Sequence, residues 1–112
     1  METIYLNGQL VDAAHAQVSV FNPSFLQGVG LFETLRSYGG RPLRLEQHLA
    51  PMRKSAAKLH LPIAAAAPPI PEAVRAVLDA NGLADARIRI TVTPPDPVAP
   101  AGSPHGRGDE PR

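Results

Sequence analysis

The segment Arg87–Thr93 alternates strictly between two kinds of side chain, and this alternation constrains the fold more than any other feature of the chain. The apolar positions are Ile88, Ile90 and Val92, and the polar positions are Arg87, Arg89, Thr91 and Thr93. Successive side chains of a β-strand point to opposite faces, so the pattern predicts a strand with one buried face. Other elements of the chain must cover that face.

Two further segments are typical of hairpins. Ile4–Val11 has Asn7-Gly8 at its centre, and this dipeptide readily adopts the two positive φ angles of a tight type I′ turn. Gly30–Tyr38 is again strand-like, and Gly39-Gly40 favours a reversal into Arg41–Arg44. We therefore expect a second hairpin after the first.

A helix is expected over about 46–60. Its apolar residues recur at alternating spacings of four and three, at Leu45, Leu49, Met52, Ala56 and Leu59. This face should pack on the sheet. Pro51 falls inside the pattern, where proline removes a backbone donor and costs about 3 kcal/mol, so we expect a kink or a late helix start there.

A second helix is expected over about 71–81. Pro71 occupies a position that helix starts tolerate, Val74, Val77 and Leu78 form an apolar face, and Gly82 suits the position just past the end. These elements together predict an α+β fold, with a small mixed or antiparallel sheet and two packed helices.

Composition changes after Thr93. Residues 94–112 are rich in proline and glycine, and such a segment buries too little apolar surface to offset its ordering entropy. We expect a folded domain over 1–93 and a disordered tail over 94–112.

Charge and composition exclude several function classes. The formal net charge of +1 gives no reason to expect a nucleic-acid or membrane partner, and the chain has no cysteine for disulfide or thiolate chemistry. The first residues lack the features of a signal peptide, and no apolar run approaches the roughly 20 residues of a membrane span. A cytoplasmic protein is the resulting expectation.

Phe32, Thr34 and Arg36 share one face of their predicted strand, so an aromatic ring, a hydroxyl and a guanidinium project together. This group could bind a carboxylate. The alternative is a half-buried strand whose Arg36 reaches solvent or pairs with Glu33 or Glu46.

Arg87 and Arg89 share a face with Thr91. If their strand neighbours the strand of Phe32, three guanidiniums could converge on an anionic substrate or cofactor, since guanidinium pairs well with carboxylate. The alternative is a solvated sheet face, and sequence alone does not decide between the two.

Other candidate residues favour structural roles. Gly28-Val29-Gly30 is typical of a loop into the next strand, and His48 suits capping or packing better than catalysis. Lys54 and Lys58 lie on the exposed face of a predicted helix, which lacks the desolvation that a Schiff-base lysine needs. The histidines show no spacing typical of metal ligands.

Several motifs occur in one order along the chain. They are Tyr5–Gly8, Val18–Val20, Gly28–Thr34, Gly40–His48 and Arg87–Thr93. In combination they resemble the first part of class IV (fold type IV) pyridoxal-phosphate-dependent aminotransferases. That family includes branched-chain and D-amino acid aminotransferases and aminodeoxychorismate lyase.

The resemblance implies a fold and a reaction. The region would form the smaller α+β domain, with pyridoxal 5'-phosphate between it and a larger domain, typically in a homodimer. The parent reaction moves an amino group between an amino acid and a 2-oxo acid. The family's cofactor lysine would lie beyond the last residue of this chain, so we expect a truncated product, inactive alone and doubtful as a cofactor binder. A non-catalytic binding or dimerisation module is the alternative.

The resemblance also assigns residues. It makes Phe32 the aromatic side of a substrate pocket, Thr34 a nearby wall, and Arg36 and Arg89 carboxylate partners. The chain departs from the family at Pro51, where members usually offer an arginine to the cofactor phosphate. Two further departures are Asn22-Pro23-Ser24 in place of Asp-Arg-Gly, and Val29 in place of an acidic residue.

Overall fold

The computed structural model describes residues 2–61, 63 and 69–95. Its strands are β1 (Thr3–Leu6), β2 (Gln9–Asp12), β3 (Leu31–Tyr38), β4 (Arg41–Pro42) and β5 (Ala86–Val92). Its α-helices are α1 (Pro23–Gln27), α2 (Leu45–Lys58) and α3 (Ile70–Asn81), and a 3-10 turn covers Ala13–His15. The α+β prediction is confirmed.

Both predicted hairpins are present. β1 and β2 pair antiparallel around Asn7 and Gly8, whose φ angles of 51° and 91° are the positive values that the turn requires. β3 and β4 pair antiparallel in the same way around Gly39-Gly40, with φ of 60° and 81°.

β3 is the central strand of a three-stranded antiparallel sheet in the order β4-β3-β5. Its pairing with β5 places Thr34 opposite Arg89 and Arg36 opposite Arg87. The sequence left this adjacency open, because strands separated by two helices give no local signal of their pairing. In the structure, β3 and β5 are neighbouring strands.

Helices cover one face of this sheet. Leu35 of β3 and Ile88 of β5 are buried with Val74 and Leu78 of α3 in one hydrophobic core. α2 packs against β3 through the face predicted for it, and Leu49, Met52 and Ala56 are buried there. Leu59, predicted for that face, is 48% exposed just past the end of the helix.

The structure corrects one expectation about α2. A late helix start at Pro51 was one of two alternatives, but the helix begins at Leu45 and continues through the proline to Lys58. A kink at Pro51 remains a prediction. Burial of three residues on its apolar face offsets the hydrogen bond that proline cannot make.

α3 lies where the sequence placed it. Gly82 caps its end in the left-handed conformation at φ 63°, which glycine adopts without steric cost. The side chain of Asn81 links this helix to β1: its Oδ1 accepts from the Thr3 amide at 2.7 Å, and its Nδ2 donates to the Thr3 carbonyl at 2.8 Å.

α1 was missed from sequence. The Asn22 side chain accepts from the Ser24 amide at 2.8 Å, and Pro23 takes the first helical position. Asn22 also donates to the Pro94 carbonyl at 3.2 Å. The loop Gly28–Gly30 then leads into β3 as predicted, with Gly28 as the left-handed cap of α1.

The chain divides into two compact units. One consists of Met1–Ala16 and Leu31–Val92, and the other of Gln17–Gly30 with the residues from Thr93 onward that the structure describes. The predicted boundary at residue 93 and the predicted disorder of the tail stay predictions, since 96–112 lie outside the described residues. In the described part, no helix has the length and apolar character that a membrane span requires.

Candidate substrate-binding face

The three-stranded sheet exposes one of its faces, which we call the arginine face. It is made by the side chains that alternate with the core positions: Phe32, Thr34, Arg36, Tyr38, Arg41, Arg87, Arg89 and Thr91. All are exposed, whereas Leu35 and Ile88 beneath them are 3% and 7% exposed. The pleat of two strands therefore projects every predicted site residue from one surface.

Arg89 and Phe32 form the closest contact on this face. The guanidinium carbon of Arg89 lies 4.2 Å from the centroid of the Phe32 ring, in cation–π range. The ring leaves the hydrogen-bonding edge of the guanidinium free to bind a ligand. Thr34 lies directly opposite Arg89 in the register and supplies a hydroxyl beside it.

Arg36 lies two residues further along β3 than Thr34, on the same face of the sheet. Its guanidinium carbon is 5.7 Å from the Tyr38 ring centroid, and Arg87 stands directly opposite it. Of the two alternatives for Arg36, pairing with Glu33 or Glu46 is wrong, whereas Arg36 does reach solvent. Glu33 contacts His48, and Glu46 contacts Arg53 at 2.9 Å.

The Glu33–His48 contact lies on the covered side of β3. His48 Nδ1 is 3.3 Å from Glu33 Oε1, and the two side chains are 33% and 30% exposed. The sequence predicted packing or capping for His48 but offered no sign of this partner, because the contact joins a strand to a helix. The Glu33–His48 contact links α2 to the helix-facing side of β3, opposite the side that carries Phe32 and Thr34.

The lysines do not fit a Schiff-base site in the described part of the chain. Lys54 and Lys58 are both exposed on α2, as predicted. At the position where the resemblance places a phosphate-binding arginine, Pro51 is exposed, and the neighbouring Arg53 is held by Glu46. The described residues of this chain therefore do not by themselves form a site for pyridoxal phosphate, and we derive no chemical step through it.

No group of three or more histidine, aspartate or glutamate side chains is arranged to hold an ion in the described ranges. The chemistry available to the arginine face is the binding of anionic groups by guanidinium.

These observations define the class of protein as a small α+β domain, with helices on one side of its three-stranded sheet and exposed arginines on the other. The family model of amino-transferase class IV matches residues 30–105, and the chain belongs to this family.

Similar proteins agree with this assignment. The chain is 40% identical over 90 residues to a protein of Methanocaldococcus jannaschii assigned as a branched-chain-amino-acid aminotransferase, covering 80% of this chain and 31% of that protein. It is 32% identical over 92 residues to the aminodeoxychorismate lyase of Bacillus subtilis, again covering 80% and 31%.

A solved structure shows the same fold. The branched-chain amino acid aminotransferase of Escherichia coli matches with a TM-score of 0.71 at 27% identity, over 90% of this chain and 36% of that one. The chain thus spans about a third of the length of the relatives it matches.

Proposed function

We propose that the arginine face is the part of a class IV aminotransferase or lyase that binds the carboxylate of an amino-acid or 2-oxo-acid substrate. The observation that carries the proposal is the Arg89 guanidinium stacked at 4.2 Å on Phe32, with Thr34 opposite it in the register. A stacked guanidinium loses less freedom when it binds a planar carboxylate.

Each predicted site residue has a role in this proposal. Arg89 and Arg36 pair with carboxylate, Phe32 forms the apolar wall against which the rest of the substrate packs, and Thr34 offers a hydroxyl. Phe32 is 62% exposed, so its ring is available for such a contact.

The reaction proposed for the whole protein is amino-group transfer between an amino acid and a 2-oxo acid, or the related lyase reaction. Pyridoxal phosphate supplies electron withdrawal from the amino acid when it is bound. Since Lys54 and Lys58 are exposed, we propose that this chain alone does not catalyse the reaction. Transaminase activity of the purified chain above a control with cofactor alone would contradict this.

The substrate-binding role is tested by titrating the ¹⁵N-labelled chain with butyrate at constant ionic strength. We expect shift changes that map to β3 and β5, and a loss of about tenfold in affinity for Arg89→Gln. Arg75→Gln removes an equal charge from the exposed side of α3 and serves as the matched control. Equal binding by wild type and Arg89→Gln contradicts the proposal.

A second candidate function is a non-catalytic dimerisation module, and one observation favours it. Gln17–Gly30 contains no charged residue, and it exposes six large apolar side chains: Val18, Val20, Phe21, Phe25, Leu26 and Val29. An exposed apolar cluster of this kind is typical of an interaction surface. A net charge of +1 gives two copies little mutual repulsion.

Sedimentation velocity over a range of concentrations tests this second candidate. We expect a dimer that Phe21→Asp or Phe25→Asp converts to a monomer. Leu83→Asp is the control, because it changes an exposed apolar residue of the other unit, and the dimer should persist. A monomer at all concentrations contradicts self-association.

A further inference from the structure

Two Asn-Gly dipeptides occur in the chain, and both lie away from the arginine face. Asn7-Gly8 forms the turn between β1 and β2, and Asn81-Gly82 ends α3. The third asparagine of the chain, Asn22, precedes a proline. The side chain of an asparagine can react with the backbone nitrogen of the next residue, so the local structure around each pair decides whether it stays intact.

The reaction is the loss of ammonia from the asparagine side chain. It meets least steric hindrance before glycine, which has no side chain beside the attacking nitrogen. That nitrogen gives its proton to hydroxide and bonds to Cγ of the asparagine, while the Cγ–Nδ2 bond breaks and Nδ2 takes up a proton and leaves as ammonia. Water then opens the succinimide ring at either carbonyl, so the product is aspartate or isoaspartate, and no oxidant or reductant is needed.

The pair in the first hairpin is open to this reaction. Asn7 and Gly8 are both exposed, and neither the Asn7 side chain nor the Gly8 amide makes a hydrogen bond in the described part of the chain. Their φ angles of 51° and 91° belong to a two-residue turn at the tip of a two-stranded sheet. Such a tip opens locally at little cost, because no packed element has to move, and the side chain then reaches the Gly8 nitrogen.

The pair at the end of α3 is held by the fold. Asn81 is half-buried, its Oδ1 accepts from the Thr3 amide at 2.7 Å, and its Nδ2 donates to the carbonyls of Thr3 and Val77 at 2.8 and 2.7 Å. The attacking group is engaged as well, since the Gly82 amide donates to the Asp79 carbonyl at 3.1 Å. Reaction at Asn81 therefore requires the loss of these contacts and of the link between α3 and β1.

We infer that Asn7 is a site of spontaneous deamidation and that the fold protects Asn81 from the same reaction. The inference is independent of the function proposed for the arginine face. Deamidation places a negative charge at the tip of the first hairpin. Aspartate before glycine also suits a type I′ turn, so that product keeps the hairpin. Isoaspartate carries the backbone through its side-chain carbon and lengthens the two-residue loop, which disturbs the register of β1 with β2.

The test incubates the whole chain at mildly alkaline pH, in buffer and in guanidinium chloride that unfolds it. Mass spectrometry of tryptic peptides, with fragmentation, follows the mass gain at each asparagine as NH₂ is replaced by OH. In buffer we expect Asn7 to react at least about tenfold faster than Asn81. In the denaturant the two rates should agree within about twofold, because the dipeptides are the same. Asn22 should stay intact in both, since proline has no N–H to lose.

A variant at Thr3 tests the cause of the protection. Thr3→Pro removes the amide that donates to Asn81, and proline is tolerated at the first residue of a strand. We expect Asn81 to react about fivefold faster in this variant, the equivalent of one net hydrogen bond, while the rate at Asn7 is unchanged. Thr3→Val keeps the amide and a branched side chain, so it is the matched control and should behave as wild type. Circular dichroism of each variant checks that the fold is retained.

Three results would overturn the inference. Equal rates at Asn7 and Asn81 in buffer would mean that the fold does not distinguish the two pairs. Reaction of Asn7 in the denaturant alone would mean that the turn itself is protective, and that Asn7 is no site in the folded chain. Equal rates at Asn81 in Thr3→Pro and Thr3→Val would mean that the hydrogen bond from Thr3 is not what protects this residue.

Discussion

Ser37 is fully buried on β3, and its hydroxyl forms hydrogen bonds with the backbone at the start of β5. The hydroxyl donates to the Ala84 carbonyl at 2.9 Å and accepts from the Ala86 amide at 3.0 Å. One side chain thereby satisfies a donor and an acceptor of the segment that begins β5. Because β5 carries Arg87 and Arg89, these hydrogen bonds also help to fix the position of the two arginines beside β3.

Ser37→Ala should lower the free energy of unfolding by about 1–2 kcal/mol, because the Ala86 amide loses its acceptor, whereas the Ala84 carbonyl keeps its hydrogen bond from the Gly40 amide. Urea denaturation followed by circular dichroism measures the loss. Ser55→Ala is the control, since Ser55 on α2 has no side-chain hydrogen bond among the described residues, and we expect a change within about 0.5 kcal/mol. Equal effects of the two substitutions would show that the Ser37 contacts are not needed.

Residue types that share a strand face could be predicted, but their partners could not. Alternation placed Phe32, Thr34 and Arg36 together because the period of a strand is a local property. The partners of Arg36 and Glu33 depend on which elements pack on each side of β3. The pairing of Glu33 with His48 therefore became visible only in the structure.

The link between β1 and α3 belongs to the scale of elements. Asn81 bonds both backbone groups of Thr3, and its Nδ2 also donates to the Val77 carbonyl at 2.7 Å. The amide side chain thus acts towards β1 as a neighbouring strand would.

We predict that Asn81→Ala costs about 1–3 kcal/mol and that the loss is concentrated in the first hairpin. Amide hydrogen exchange should accelerate across Thr3–Leu6 more than in β3 or β5. Gln47→Ala, on the exposed side of α2, provides the comparison. Uniform acceleration in all strands would mean that Asn81 supports the fold as a whole rather than this link.

Pro51 offers a second test at this scale. It is exposed in the interior of α2, so replacement by alanine restores a backbone donor without removing buried surface. We expect Pro51→Ala to raise the free energy of unfolding by about 2 kcal/mol, less than the full helix penalty because the unfolded chain gains freedom. Thermal and urea denaturation should agree, and a lower melting temperature would contradict the reasoning.

Elements with strong local signals were predicted, and the short helix α1 was missed. The periodicity of α2 and α3 extends over several turns, whereas α1 has five residues and no apolar period to detect. Its signal was the Asn22-Pro23 pair, which combines a preferred cap with a preferred first residue. The late helix start at Pro51 was wrong because burial of a helix face outweighs one lost hydrogen bond, while the kink stays a prediction.

For the molecule as a whole, net charge conceals an uneven distribution. The formal total is +1, yet four arginines project from one sheet face. A sum over all residues could not predict this, since it depends on which strands are neighbours.

Salt should therefore stabilise the fold by screening the arginine face. At low ionic strength we expect Arg87→Gln to raise stability slightly, by about 0.5 kcal/mol, and in about 1 M sodium chloride the difference should vanish. Melting temperatures over a salt series measure this for wild type, Arg87→Gln and Arg75→Gln. A gain that persists at high salt would point to a cause other than charge.

The opposite characters of the two sheet faces also determine which substitutions the protein can accumulate. In β3 the odd-numbered positions face the helices, while in β5, which runs the other way in the register, the even-numbered positions do. Mutations should therefore be tolerated at the even-numbered positions of β3 and at the odd-numbered positions of β5, because these side chains point away from the helices. Ligand preference can then change through the exposed positions while the buried positions preserve the fold. A single-residue deletion within β3 would instead turn the buried side chains of the strand outward and the exposed ones inward.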